Sequence, residues 1–335
     1  MFVSSRPSRT SSRSFVASSR PSRWRSLLVA AALAAFAAVG LAPTGASAAT
    51  SPLQALEGFD PSPVRYVRLG GDRFGYRTVG KGRPLVLVIG FGATMPVWDP
   101  EFVVALAEHR RVIVFDNRGM GESQDASFKN LTIAKMARDT ARLIRKLIPK
   151  RKRADVLGWS MGGYIAQELA LRHPKQVRRL VLAASDPGSP HAVEPKPWVL
   201  KILNDPNSSE EDLLKILFPP DQIQRGEAWY ARIPTWPGLD FERAFAEPAF
   251  EAQVKACGRP WYGRGRGTFS RLGKIRARTL VAVGNRDVVE PPRNSRMLAR
   301  RIPNARLAVY PDAGHGFLAQ MPRRFAGRVV RFLDR

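Results

Sequence analysis

The chain has 335 residues, with 54 Lys and Arg against 28 Asp and Glu, a net charge of +26 and one cysteine. A single cysteine excludes an internal disulfide, and the length allows one large core with room for an insert. The excess arginine is spread thinly, with no basic block interleaved with aromatics. That pattern argues against a nucleic-acid module and leaves a weak attraction to anionic envelope surfaces as its expected consequence.

In chain order, residues 1–26 carry six arginines and no acid, Leu27 to Ala42 is an apolar run, and Ala46-Ser47-Ala48 follows. A positive segment, an apolar segment and a small-residue cleavage site form the layout of a secretory signal peptide, cleaved after Ala48. The apolar run of 16 residues falls short of the ~20 needed to span a bilayer. A secreted, extracytoplasmic product is therefore expected, with an uncleaved N-terminal anchor as the alternative. Cys257 lies far from the cleavage site, which excludes lipid attachment there. Residues 49–63, with Pro52, Pro61 and Pro63, read as a linker.

Val64 to Leu69 and Phe74 to Val79 predict a hairpin around Gly70-Gly71-Asp72. Leu85 to Ile89 and Val112 to Phe115 are unbroken apolar runs, as expected of parallel strands covered on both faces. From Thr132, the residues Ile133, Met136, Thr140, Leu143, Ile144 and Leu147 keep helical spacing, with Thr132 as N-cap and Pro149 as the stop. Ala154 to Leu157 predicts a strand, Tyr164 to Arg172 a helix, and Leu180 to Ala183 the next strand. Residues 186–271 break this rhythm with prolines and with Trp198, Trp229, Trp236 and Trp261. The alternation resumes with a strand at Thr279 to Val283, a helix from Arg293 to Arg301, a strand at Leu307 to Tyr310 and a helix from Arg323 to Leu333. The expected fold is α/β: a doubly wound, mostly parallel sheet over residues 64–185 and 272–335, with a helical cap insertion over 186–271.

Gly158-Trp159-Ser160-Met161-Gly162-Gly163 joins a predicted strand directly to a predicted helix. That context separates a nucleophile elbow from a chance Gly-x-Ser-x-Gly. A serine in so sharp a turn needs neighbours without bulk, which Gly158 and Gly162 supply. The Met161 N–H, at the helix N-terminus, is placed to receive a developing oxyanion. The competing reading is a glycine-rich turn with no chemistry. Gly90 and Gly92 also suggest a dinucleotide turn, but the third glycine and a βαβ unit ending in an acid are missing.

Three stretches carry a family resemblance: Val88 to Ala93, Asp116 to Ser123, and Gly158 to Gly163. Over residues 64–335, apart from a loosely matched cap, the chain resembles the α/β-hydrolase fold superfamily. The resemblance implies Phe91 N–H as the second oxyanion donor beside Met161, with Ile89 where relatives carry histidine. It implies a structural role for Asp116, Arg118, Gly119, Gly121 and Ser123. It also implies the chain order Ser, acid, His. Of four histidines, His315 lies in a Gly-flanked loop after the last strand and is the expected base. His109, His173 and His191 read as surface and capping residues. Asp287, in Gly284-Asn285-Arg286-Asp287, fits the expected acid, with Asp186 after the preceding strand as the alternative.

The resulting expectation is a serine hydrolase acting on carboxylic esters through an acyl-enzyme on Ser160, with no cofactor and no metal. Trp98 and the cap aromatics suggest an apolar substrate pocket, or else simple cap packing. Alternatives within the fold are an aminopeptidase, a carbon–carbon bond hydrolase and a perhydrolase. Serine at the elbow argues against the epoxide hydrolases and haloalkane dehalogenases, which resemble this fold but use aspartate there. Glu210-Glu211-Asp212 is a weak candidate for holding a substrate amine. A non-catalytic binding protein on the same fold is the alternative of a different class.

Overall fold

The computed structural model describes residues 62–149, 152–188, 191–238, 247–262 and 267–335. The leader expected over 1–48, and the linker as far as residue 61, lie outside the described residues. The hairpin is present: β1 (Arg65–Leu69) and β2 (Asp72–Val79) pair antiparallel and turn at Gly70 and Gly71, with φ of 66° and 98°. These positive angles explain the glycine pair.

β3 (Pro84–Val88), α1 (Pro100–Ala107), β4 (Arg111–Phe115), α2 (Ile133–Leu147), β5 (Ala154–Trp159), α3 (Met161–Arg172) and β6 (Val177–Ala183) follow. The sheet has eight strands in the order β1-β2-β4-β3-β5-β6-β7-β8, closing with β7 (Arg278–Gly284) and β8 (Ala305–Tyr310). β2 meets β4 antiparallel, and every pairing from β4 to β8 is parallel.

Alternate residues of each central strand feed two separate cores, as a period of two dictates. Val86, Val88, Ile113, Val156, Leu180 and Leu182 face α2 and α3. Leu85, Leu87, Val112, Val114, Leu157 and Val181 face the other layer with Phe102, Leu106, Val329 and Leu333. That layer is α1 together with the final helix, α11 (Pro322–Asp334). The thoroughly buried sequences of β3 and β5 follow from cover on both faces.

The helix expected after Thr132 forms as read, and the Thr132 hydroxyl accepts from Lys135 N at 3.1 Å. α1 was not anticipated. Asp99 caps it by accepting from Glu101 N at 2.9 Å, and Pro100 opens it.

Between β6 and β7 the described residues form α4 (Pro197–Leu203), α5 (Glu210–Leu217), α6 (Ile223–Arg232), α7 (Glu247–Cys257) and α8 (Arg259–Tyr262), and contribute no strand. After β7 comes α9 (Pro292–Arg301), and after β8 come α10 (Phe317–Gln320) and α11 (Pro322–Asp334). The aromatics in and near the insertion mostly pack. Trp98 is fully buried, with ring centroids 6.1 Å from Phe102 and 6.0 Å from Trp159. Trp229 Nε1 donates to Val97 O at 3.3 Å, and Trp236 Nε1 to Trp98 O at 3.0 Å. These bonds fasten the insertion to the β3–α1 connection, so Trp98 is a packing residue and not the wall of an open pocket. Trp198 is the exception and stands exposed.

The Asp116 to Ser123 turn is held by its own side chains. Asp116 accepts from Met95 N at 2.6 Å and Glu122 N at 2.8 Å, while Arg118 forks onto Asp139 with two bonds of 2.8 Å.

Candidate active site

Ser160 is the one residue between β5 and α3, with φ 58° and ψ −125°. A non-glycine residue in that region is strained and persists only where its surroundings hold it. Here Ser160 N donates to Ala183 O at 2.9 Å, and Gly163 N donates to Ser160 O at 2.7 Å. The flanking glycines have no room for a side chain. A Cβ at Gly158 would lie 2.2 Å from Gly162 O, and one at Gly162 would lie 2.0 Å from Val88 O. The turn therefore presses its backbone against the end of β3, and Ser160 itself remains partly exposed.

Gly90 faces the serine: a Cβ there would be 3.2 Å from Ser160 Cβ. The next residue is Phe91. Among the described residues, the N–H groups of Phe91 and Met161 take no backbone acceptor. Gly92 follows with φ of 64°, and its N–H donates to Gln253 Oε1 at 2.9 Å. Phe91 stacks at a tilt on Phe250, with centroids 4.8 Å apart. The β3 loop is thus clasped by α7 on its far side.

The structure brings His315 and Asp287 together. His315 Nδ1 lies 3.0 and 3.2 Å from the two Asp287 carboxylate oxygens, and both residues are buried. Asp287 Oδ1 also accepts from Val289 N at 2.9 Å and Glu290 N at 2.7 Å, which fixes the carboxylate. The histidine loop is fixed as firmly. Gly314 N donates to Gln320 Oε1 at 2.8 Å, Gly316 N to Leu217 O at 2.7 Å, and Trp159 Nε1 to His315 O at 3.2 Å. Among the described residues, the hydrogen bonds of the imidazole go to Asp287 alone. An Nδ1–H directed at a carboxylate leaves the Nε2 lone pair as the acceptor.

The other histidines lie elsewhere. His173 caps α3, and burial with the nearby Arg145, Arg172 and Arg138 charges holds its pKa below the ordinary value. His109 is exposed beside Glu108, and His191 packs on Phe269.

Asp186 does not touch His315. It accepts from Gly188 N at 2.6 Å, Trp261 Nε1 at 2.8 Å, Tyr164 OH at 3.1 Å and Tyr262 OH. Tyr164 OH also reaches Glu290. Burial pushes the Glu290 carboxyl well above the ordinary carboxylate range, and the Asp186 charge adds to the push. Burial raises Asp186 as well, against the four donors that favour its charged form. The four donors at Asp186 favour keeping the charge there and the proton on Glu290. Sequence reasoning missed this pairing. Glu290 stands in an unremarked turn before Pro291, and only the i,i+4 spacing of Ser160 and Tyr164 hinted that the elbow helix carries a second polar group inward.

A stability prediction follows. A carboxyl whose folded pKa is raised binds its proton more tightly in the folded state. Its stabilising effect is complete below the unfolded value of ~4 and is lost as pH rises through the folded value. Glu290→Gln keeps a neutral group in place. Its Tm should fall less than that of the wild type between pH 5 and pH 9, as measured by calorimetry at matched ionic strength. Parallel curves would show that Glu290 is not protonated in the folded protein.

A family model described as alpha/beta hydrolase fold matches residues 83–321. The chain belongs to the α/β-hydrolase fold family. A poly(3-hydroxyalkanoate) depolymerase from Ectopseudomonas oleovorans is 32% identical over 261 residues, covering 75% of this chain and 84% of that protein. A Caulobacter sp. (strain K31) protein, named provisionally as the carbamate hydrolase RutD, is 30% identical over 259 residues, covering 75% and 90%. Among solved structures, an alpha/beta hydrolase fold protein from Chitinophaga pinensis superposes with a TM-score of 0.69 at 27% identity, covering 81% of this chain and 97% of that one. Hydrolase activity is what these relatives share by name; bond and substrate differ among them.

Proposed function

We propose that this α/β-hydrolase is a serine hydrolase that cleaves carboxylic esters, with Ser160 as nucleophile, His315 as general base and Asp287 as the acid that orients it. The observation that carries the reading is the strained Ser160 turn, beside Phe91 and Met161 N–H groups that take no backbone acceptor among the described residues, in a chain whose His315 Nδ1 is held by Asp287. In the proposed reaction, Ser160 Oγ adds to the ester carbonyl while its proton passes to His315 Nε2. The tetrahedral oxyanion rests on the Phe91 and Met161 N–H groups. Collapse expels the alcohol, which takes the proton from His315, and water repeats the cycle on the acyl-enzyme. Donors aimed at a developing oxyanion are typically worth ~10²–10³ in rate each.

The aminopeptidase alternative loses its acidic cluster. Glu210, Glu211 and Asp212 open α5 behind the Ser209 cap, and Glu211 pairs with Lys215 at 2.7 Å. Export of the mature domain belongs to the same proposal, and sequencing the N-terminus of secreted protein should begin at Ala49. Arg278, Arg306, Arg328, Arg331 and Arg335 line one groove, which supports a salt-sensitive attraction to anionic envelope surfaces.

The test is a panel of p-nitrophenyl esters of increasing acyl length, with a fluorophosphonate label mapped by peptide mass. Turnover with the label on Ser160 is the expected result. Label on Ser160 without ester turnover would shift the substrate class to amides, carbon–carbon bonds or peroxide chemistry. Folded protein that neither turns over nor labels would overturn the enzyme reading and favour a binding protein.

A further inference from the structure

The arginines are spread thinly along the chain, but the fold collects them. Because β3 to β8 are all parallel, their first residues share one end of the sheet. An arginine stands within one residue of each start: Arg83, Arg111, Arg153, Arg178, Arg278 and Arg306. Ser160, Asp287 and His315 follow the last residues of β5, β7 and β8, so they lie at the other end, about 20 Å away along such a strand. The helices that return against the strands end on the basic side. Their last turns add Arg145 and Lys146 from α2, Arg300 and Arg301 from α9, and Arg331 from α11. Cations in a last turn complement the helix dipole. Strand starts have no comparable dipole, so that rule does not account for Arg83, Arg153, Arg278 and Arg306, all of them exposed.

The neighbouring carboxylates are already taken. Arg178 Nε donates to Asp155 Oδ1 at 2.7 Å, and Asp334 pairs with Arg110. Among the described residues, Arg306, Arg328 and Arg331 make no ion pair, and over the buried Leu280 and Phe332 they line a groove of about 160 Å³ beside the edge strand β8. Burial holds the Arg179 guanidinium below its ordinary pKa, and the charges of Arg178, Arg278 and Arg83 push the same way. Like charges gathered in this way repel one another and oppose the compact state. An anionic partner set against them relieves that repulsion.

We propose that this end of the sheet docks the protein on a bilayer of anionic phospholipid, with the active site facing away and a lipid phosphate seated in the groove of Arg306, Arg328 and Arg331. The proposal deepens the reading of a salt-sensitive attraction to anionic surfaces, rests on it, and is independent of the ester chemistry. A guanidinium is a weakly hydrated fork that matches phosphate oxygens. The breadth of the face selects the partner. Six strands span about 24 Å at the usual spacing, and helix ends from both layers flank them. A lipid surface meets all of these charges at once, whereas a linear polyanion follows a single track. The exposed large apolar side chains among the described residues, Tyr66, Trp198, Val288 and Val309, lie away from these strand starts. The attachment is therefore electrostatic, without insertion into hydrocarbon.

Co-sedimentation with vesicles tests this, using the full chain as the expressing cell processes it. Wild-type protein should bind vesicles that contain phosphatidylglycerol, ignore those of phosphatidylcholine alone, and detach as salt rises. The triple variant Arg306→Gln, Arg328→Gln, Arg331→Gln should bind about a hundredfold more weakly. A control triple, Lys129→Gln, Lys196→Gln, Lys201→Gln, removes the same charge from exposed positions that follow the last residues of β4 and β6. Those positions lie beyond a Debye length of ~10 Å from the docked surface, so the control should stay within about threefold of wild type. Should the arginine triple fail to fold by circular dichroism, the single Arg331→Gln, with an expected loss of about fivefold, carries the same decision. Equal weakening by the arginine and lysine variants overturns the oriented docking and leaves net charge alone as the cause. Wild-type protein that binds inorganic polyphosphate but no vesicle overturns the lipid surface in favour of a linear polyanion. Wild-type protein that binds neither at low salt overturns the attraction itself and this inference with it, an outcome separable from the other two.

Discussion

Ser160→Ala is expected to lower kcat for p-nitrophenyl ester hydrolysis by about 10⁶-fold, the scale seen when the nucleophile of a serine hydrolase is removed. The size of the loss follows from the site's division of labour. The Phe91 and Met161 N–H groups and the binding surface survive the substitution, so a residue of ~10³ over the uncatalysed reaction should persist. The turn itself should also survive. Its geometry is set by Gly158, Gly162 and the backbone bonds of Ser160 to Ala183 and Gly163, none of which uses the hydroxyl. Circular dichroism and the thermal midpoint should therefore match the wild type, while fluorophosphonate labelling vanishes. A variant that keeps even a hundredth of the activity would place the nucleophile elsewhere.

The elbow was legible in the sequence because it obeys a local steric rule. Two glycines around a serine at a strand–helix junction have few other uses. The sheet was legible for a similar reason, since strands covered on both faces must be apolar throughout, as Leu85 to Val88 are. α1 escaped because its periodicity is weak. Phe102, Val103 and Leu106 are buried, but Pro100 and the partly buried alanines blur the pattern, and the real signals were the Asp99 cap and Pro100 at the first turn. Glu290 and Gln253 escaped for a deeper reason. Their meaning lies in contacts 126 residues away with Tyr164 and 161 residues away with Gly92, and no local rule encodes such distances. The choice between Asp287 and Asp186 was likewise a question of which strand end faces His315. Each stood at the end of a predicted strand with a plausible turn behind it.

That choice yields the second large prediction. Asp287→Asn is expected to reduce kcat by about 10⁴-fold, and Asp186→Asn to leave it within a few-fold. The asparagine at position 287 keeps the shape and can keep accepting the Val289 and Glu290 N–H groups through its oxygen. Its NH2 would then face His315 Nδ1, which can accept only in the opposite tautomer, with the proton on Nε2. The base would then meet Ser160 with a hydrogen where it needs a lone pair. At position 186 the logic reverses. An asparagine there can retain the bonds from Gly188 N and Trp261 Nε1 through its oxygen, while its NH2 faces Tyr164, Tyr262 and Glu290, all of which can accept. The substitution removes the buried charge beside Glu290 without reaching the imidazole, so it should preserve folding and relax the upward push on Glu290. Steady-state kinetics on one ester, with both variants at the same pH, decides between the two acids. If Asp186→Asn proved the crippled variant, the carboxylate would have to leave four donors to reach His315. The arrangement of β6, α3 and α8 described here would then be a resting form that rearranges before catalysis.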